Sequence, residues 1–234
     1  MIDARTSSVA IVSKKGHRAY VVASTDKQAL RAVLVLAEHF RYDRAHTHRV
    51  AHLALQLFEE MQPVHRLGYR ARFCLTCAAI LHDIAKNSGA AHHKAVLGLV
   101  LTTPELPFNL ATRRMIGLIA RYHRKAVPTM KHEHFSALTH EQRDVVRQLA
   151  AILRLSDALD AGHRGIVRTV RCKISSGRIV GRCTLARQSN SEDRWQVKKK
   201  ALKKGMLLED VFGCKLAIKW SADEELSKVA QLRE

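Results

Sequence analysis

Two stretches of this chain end a helical apolar stripe on an ionisable residue, and that pattern restricts the possible folds more than any other feature. His46, Val50, Leu53 and Leu57 are spaced 4, 3 and 4, so they share one face of a helix. Val146, Ala150, Leu153 and Asp157 repeat the spacing. His48 and His52 fall on the polar side of the first helix. An imidazole or a carboxylate on a core-facing stripe is costly unless it is hydrogen-bonded, paired or bound to a cation. A third segment, AAILHDIAK, runs an apolar helix into the adjacent pair His82-Asp83.

Three separated helices thus aim His46, His82, Asp83 and Asp157 inward. Two imidazoles and two carboxylates form a mixed nitrogen and oxygen set that suits Mn, Fe, Zn, Co or Mg rather than a thiol-loving ion. Asp160, one turn beyond Asp157, is near enough to join the set or to act as a hydrogen-bond acceptor behind it. Any one of these histidines alone reads as a satisfied core residue; the adjacent His-Asp pair argues for a divalent metal. His92, His93 and His123 extend the set towards a second metal, a catalytic role or a phosphate contact. Lys94, Arg121, Arg124 and Lys125 accompany them and supply charge suited to binding a substrate phosphate.

The remaining pattern is helical as far as residue 160. One helix starts at the Ser24-Thr25-Asp26 cap, a second runs from Asp43 to near Pro63, and a third covers about 68–84. Others lie around 93–101, after Pro107, and over 139–160. Past Gly165 the texture changes. VRTVRCKI and RIVGRCTLA alternate with a period near two around the turn Ser175-Ser176-Gly177, predicting a hairpin. A third strand at 194–198, a short helix over 203–212 and a strand over 214–220 complete the reading. The expected fold is mainly α, a helical bundle with a small C-terminal α+β subdomain. Its parts are an N-terminal extension over 1–24, with short β-like runs on either side of KKG, a helical domain over 25–164 and the α+β piece over 165–234.

Hydrophobic residues make up 47% of the 234 positions, enough to bury a core. The formal charge of +19 points to anionic partners: phosphorylated small molecules, polyphosphate or nucleic acid on the basic surface. A generally solvated basic surface is the plainer alternative. No apolar run reaches bilayer length and the first residues lack the apolar core of a secretory signal, so no membrane association and a cytoplasmic location are expected. Five cysteines, an odd number, argue against a disulfide framework. Cys74 and Cys77 read as small core residues on one helix face.

Six ordered motifs add a resemblance. RYDRAH (41–46), LHDI (81–84), HHK (92–94), ARYHRKAVP (120–128), LRLSDALD (153–160) and LLEDVFG (207–213) resemble the HD-domain metal-dependent phosphohydrolases. They are closest to the helical C-terminal module of the exopolyphosphatase and guanosine pentaphosphate phosphatase (Ppx/GppA) family. The resemblance implies an HD-type phosphohydrolase that acts on phosphate esters or anhydrides through a metal-activated water, and it is compatible with a homodimer. His46, His82, Asp83 and Asp157 would be its metal ligands. The family's exopolyphosphatase chemistry belongs to a preceding actin-like domain with glycine-rich phosphate loops. Residues 1–40 hold no such loop, so that activity is not implied here. Ala95 stands where the family often has a further histidine. A GYP motif, expected in cyclic-di-GMP phosphodiesterases, is absent, and Ile84-Ala85-Lys86-Asn87 replace the acidic residues that follow His-Asp in alarmone hydrolases. The alternative function is a non-catalytic module that binds polyphosphate or RNA, using Lys198–Lys200 and Lys203-Lys204.

Overall fold

The computed structural model describes residues 11–12, 18–19, 24–86 and 92–221, with 11–12, 18–19 and 92–94 described by backbone only. β1 (Ile11–Val12) pairs antiparallel with β2 (Arg18–Ala19); the KKG turn between them lies outside the described residues. Among the described residues the architecture is mainly helical, with a small three-stranded sheet towards the C-terminus.

α1 (Ser24–His39) buries Asp26, Ala29, Val33 and Ala37. α2 (Arg44–Glu60) is capped by Asp43, whose side chain accepts the His46 backbone N–H at 3.0 Å. Pro63 sits in the first turn of the single-turn α3 (Gln62–His65), a position where its missing N–H costs nothing. α4 (Tyr69–Leu81) is apolar nearly all round and packs against α1, α2, α6 and α8, which makes it the central helix. Cys74 and Cys77 are buried in it, and burial raises both thiols, that of Cys74 to about 11. α5 (His92–Thr102) packs on α6 (Leu110–Arg121). After the short α7 (Glu133–Ser136), α8 (His140–Leu159) begins with a Thr139/Gln142 capping box and ends at Asp160.

β3 (Val167–Ser175) and β4 (Arg178–Leu185) form the expected hairpin, turning at Gly177 with φ 67°. β5 (Lys215–Trp220) lies parallel to β4, so the chain must cross over. The crossover is α9 (Ser191–Phe212), one continuous helix. The strand expected at 194–198 is therefore the first half of a helix. Asn190 caps it by accepting the Asp193 N–H at 2.8 Å, and Glu192 and Asp193 occupy the first turn, where acidic side chains favour a helix start. The apparent alternation came from Trp195 and Val197; Val197 is buried while Trp195 is 53% exposed. α9 lies so close to β5 that a Cβ on Gly205 would sit 2.3 Å from the Leu216 side chain.

The helical part and the sheet share one core cluster, running from Val33 and Leu75 through Leu155 to Val170 and Leu208. α2 also covers the outer edge of β3. Gln56 Oε1 accepts the Val170 N–H and Glu60 Oε2 the Cys172 N–H, each at 3.0 Å, satisfying edge donors that would otherwise be open to another strand.

His65 closes the α3–α4 turn as a neutral ring. Its Nε2–H donates to the Phe58 carbonyl at 2.7 Å, and Nδ1 accepts the Leu67 N–H at 2.9 Å. Burial lowers its pKa below 6.5. The unfolded chain therefore takes up this proton first as the pH falls. The stabilisation is complete above about pH 6.5 and is lost as the pH drops through the folded value. The stability difference between wild type and His65→Gln, from urea titrations, is expected to shrink between about pH 7.5 and about pH 5; a constant difference contradicts this.

Candidate metal centre

The cluster forms where helix ends meet. His46 stands in the first turn of α2, His82-Asp83 just beyond α4, His123 just beyond α6, and Asp157 in the last turn of α8. His46 and His82 are fully buried, His123 is 1% exposed and Asp157 8%. Three of these positions lie at helix C-termini, whose partial negative charge favours a cation.

Each imidazole is fixed through Nδ1. His46 Nδ1 lies 2.8 Å from Asp160 Oδ2, His82 Nδ1 2.8 Å from the Ala79 carbonyl, and His123 Nδ1 2.6 Å from the Ala120 carbonyl. A carbonyl only accepts, so Nδ1 carries hydrogen in His82 and His123 and Nε2 is directed inward. There His82 Nε2 lies 3.4 Å from His46 Nε2, 3.9 Å from Asp157 Oδ1 and 4.0 Å from Asp83 Oδ2. His46 Nε2 is 3.4 Å from Asp157 Oδ1, and His123 Nε2 is 3.3 Å from Asp83 Oδ1. Two ligands about 2.1 Å from a tetrahedral ion stand roughly 3.4 Å apart, so the donor set has the spacing of a metal site. Ligand atoms of His46, His82 and Asp157 all fall within 4.8 Å of one another, as do those of His46, Asp83 and His163.

The charges are strongly coupled. Burial disfavours the His46 imidazolium, but hydrogen bonds to Asp157 and Asp160 outweigh it and raise the pKa to about 9. His82, buried and facing His123, is lowered to about 4 and is neutral. Burial would raise the carboxyls of Asp83 and Asp157. The neighbouring His123 ring lowers the Asp83 carboxyl, and the hydrogen bond from His46 together with the Lys204 charge holds Asp157 well below the usual carboxylate range.

A family model for the Ppx/GppA phosphatases, domain III, matches residues 30–209. The chain belongs to the Ppx/GppA phosphatase family.

In this Ppx/GppA member the fold brings together His46, His82, Asp83, Asp157 and His123. His92, His93 and Lys94 begin α5, and their side chains lie outside the described residues. Arg121 ends α6, and Arg124 and Lys125 follow His123 on the segment after it, Lys125 being exposed with φ 56°. Arg154 of α8 holds that segment by donating to the carbonyls of Tyr122, Lys125 and Ala126.

Two side chains at the cluster, His163 and Arg49, escape the sequence reading, and a third, Lys204, enters it only as part of a basic anion-binding run. His163 stacks on His46 at 3.7 Å between ring centroids, and its Nδ1 is 2.8 Å from Asp43 Oδ2. Arg49, one turn beyond His46, donates Nε to Asp160 Oδ2 at 3.1 Å. Lys204 of α9 forms an ion pair with Asp157 Oδ2, leaving Oδ1 to face the imidazoles. The signal for Lys204 was present. Val197, Ala201, Lys204 and Leu208 are spaced 4, 3 and 4, a third stripe carrying a charge, but the strand assigned to 194–198 broke it.

Lys204→Met leaves the Asp157 carboxylate buried without its ammonium. Urea titration is expected to show a loss of about 1–3 kcal/mol, smaller when Asp157→Asn is added. Because the folded pKa of Asp157 is depressed, the carboxylate's contribution is present above about pH 4 and lost as the pH falls through the folded value. An undiminished stability in Lys204→Met contradicts the pairing.

Proposed function

We propose that this chain is an HD-type metal-dependent phosphohydrolase acting on phosphate esters or anhydrides. What carries the reading is the convergence of His46 Nε2, His82 Nε2 and Asp157 Oδ1 at 3.4–3.9 Å, with Asp83 at the rim and each imidazole anchored from behind. The membership in a phosphatase family supports the substrate class.

His46, His82, Asp83 and Asp157 would hold a divalent ion, with Mn, Fe, Zn, Co and Mg all compatible with the donors. Such an ion supplies Lewis acidity and lowers the pKa of water so that a nucleophile is available near neutrality. The protein's own groups do the positioning. Asp160 orients the His46 ring and Ala79 O that of His82; Lys204 keeps Asp157 ionised. His123, oriented by Ala120 O and close to Asp83, would join a second ion or contact a phosphoryl oxygen, and His92 and His93 would take part in the same role. Arg121, Arg124, Lys125 and Lys94 would offset charge on the phosphoryl group in the transition state. The net charge of +19 raises the local concentration of anionic substrates.

The test is metal content by mass spectrometry on wild type and on His82→Ala/Asp83→Ala, followed by Mn-dependent hydrolysis of p-nitrophenyl phosphate and tripolyphosphate. About one or two ions per chain are expected in wild type and none in the double variant. Turnover should fall at least about 100-fold in the variant. A wild-type chain that takes up no ion after dialysis against Mn or Fe, yet still binds polyphosphate, overturns the enzyme reading in favour of a binding module.

A further inference from the structure

A second site lies behind the cluster, on the far side of Arg49. A cleft of about 350 Å³ opens between α2 and the start of β3, walled by Arg49, His52, Arg164 and Arg168 over Leu53 and Val167. Its volume is within the range of small-ligand sites. Among the described residues no carboxylate lines it. Two of its arginines are each paired with a buried carboxylate: Asp160 accepts from Arg49 at 3.1 Å and Asp193 from Arg164 at 2.5 Å, while Arg168 carries no such partner among the described residues.

Two backbone irregularities shape this wall. The β3–β4 register shifts between Val167 and Thr169, so Arg168 is the extra residue of a bulge. Bulges re-aim a side chain at the cost of ladder pairing. Gly165 adopts φ +64°, and a Cβ there would lie 3.1 Å from Arg49 Cδ and 3.2 Å from its Nε. Only a glycine lets the chain turn against the Arg49 side chain in this way.

The donor inventory then indicates the ligand. A guanidinium carries five N–H donors. Arg49 uses its Nε on Asp160 and one Nη on the His163 carbonyl at 2.9 Å, and Arg164 uses one on Asp193. Arg168 is exposed and has no hydrogen bond or ion pair among the described residues. Among the described residues most of the guanidinium donors around this cleft thus have no protein acceptor, with His52 beside them.

We propose that this cleft is a phosphate-binding site, taking a free phosphate or the phosphate group of a small phosphorylated molecule between Arg49, Arg164 and Arg168. Forked guanidinium groups match the oxygens of such an anion. The site stands independently of the metal reading, although Arg49 touches both: the Asp160 oxygen it holds is the one that receives His46 Nδ1.

Isothermal titration of the full chain with orthophosphate, and separately with phosphoserine, in low salt with EDTA present, tests the site. Saturable binding of orthophosphate identifies the free anion as sufficient, and binding of phosphoserine alone assigns a phosphorylated molecule. Arg168→Glu should weaken binding at least about tenfold, and Arg168→Lys less. Lys27→Glu, the same kind of charge reversal on the exposed face of α1, should leave it unchanged. His82→Ala/Asp83→Ala should also bind normally, which separates this site from the metal centre. Circular dichroism confirms that each variant is folded. Equal weakening by Arg168→Glu and Lys27→Glu would mean diffuse charge rather than a site and overturns the proposal, as does the absence of saturable binding of either probe to wild type.

Discussion

The carboxylate of Asp160 ties the molecule together at its most constrained point. Buried at 2% exposure, it receives His46 Nδ1 at 2.8 Å, Arg49 Nε at 3.1 Å and the Gly165 backbone N–H at 2.9 Å. Those donors come from α2 and from the loop that leads into β3. A buried carboxylate with one donor would be a liability; with three it is satisfied, and each bond sets something else. The first fixes the His46 ring so that Nε2 faces Asp157. The second places Arg49 at the mouth of the basic cleft. The third fixes the turn through which the chain passes from helix to sheet.

This arrangement keeps a carboxylate-bearing, carbonyl-lined cluster inside a chain whose net charge is +19. The excess positive charge is largely peripheral, with Lys198, Lys199, Lys200 and Lys203 exposed on α9. At the cluster the local field is set by two carboxylates and by the carbonyl ends of α4, α6 and α8, which act over short distances in a dry environment. Without an added ion the cluster already draws positive charge, a proton on His46 and the ammonium of Lys204. Under the proposed function, anionic ligands drawn by the outer charge and a cation held by the inner field would be the two components that phosphoryl chemistry requires.

Much of this was legible in the sequence where the controlling physics is local. The spacing of Val146, Ala150, Leu153 and Asp157 gave α8 to within a residue because propensity, capping box and apolar stripe agree there. His46 was separable from His48 and His52 by helical geometry alone, and the structure buries the first and exposes the others. Reading failed where two periods competed. Trp195 and Val197 mimic a strand over too few residues to reveal a helix, and the error concealed Lys204. The cleft was illegible for another reason. Arg168 reaches it through a bulge, and Gly165 matters because of Arg49, a residue distant in sequence; neither relation leaves a periodic trace.

α2 shows why these sites come as a set. Along it His46 serves the cluster, Arg49 and His52 the cleft, and Gln56 and Glu60 the edge of β3. Successive steps of three or four residues keep all of them near one side of the helix. The face that carries the cluster and cleft residues is therefore the face that docks the sheet. Any shift or rotation of α2 large enough to spoil one contact disturbs the others, because a helix moves as a rigid rod while its hydrogen bonds hold. Attachment of the sheet to α2 is thus a condition of the cluster's geometry, and the C-terminal α9, which both packs on the sheet and supplies Lys204, closes the same loop of constraints from the opposite side.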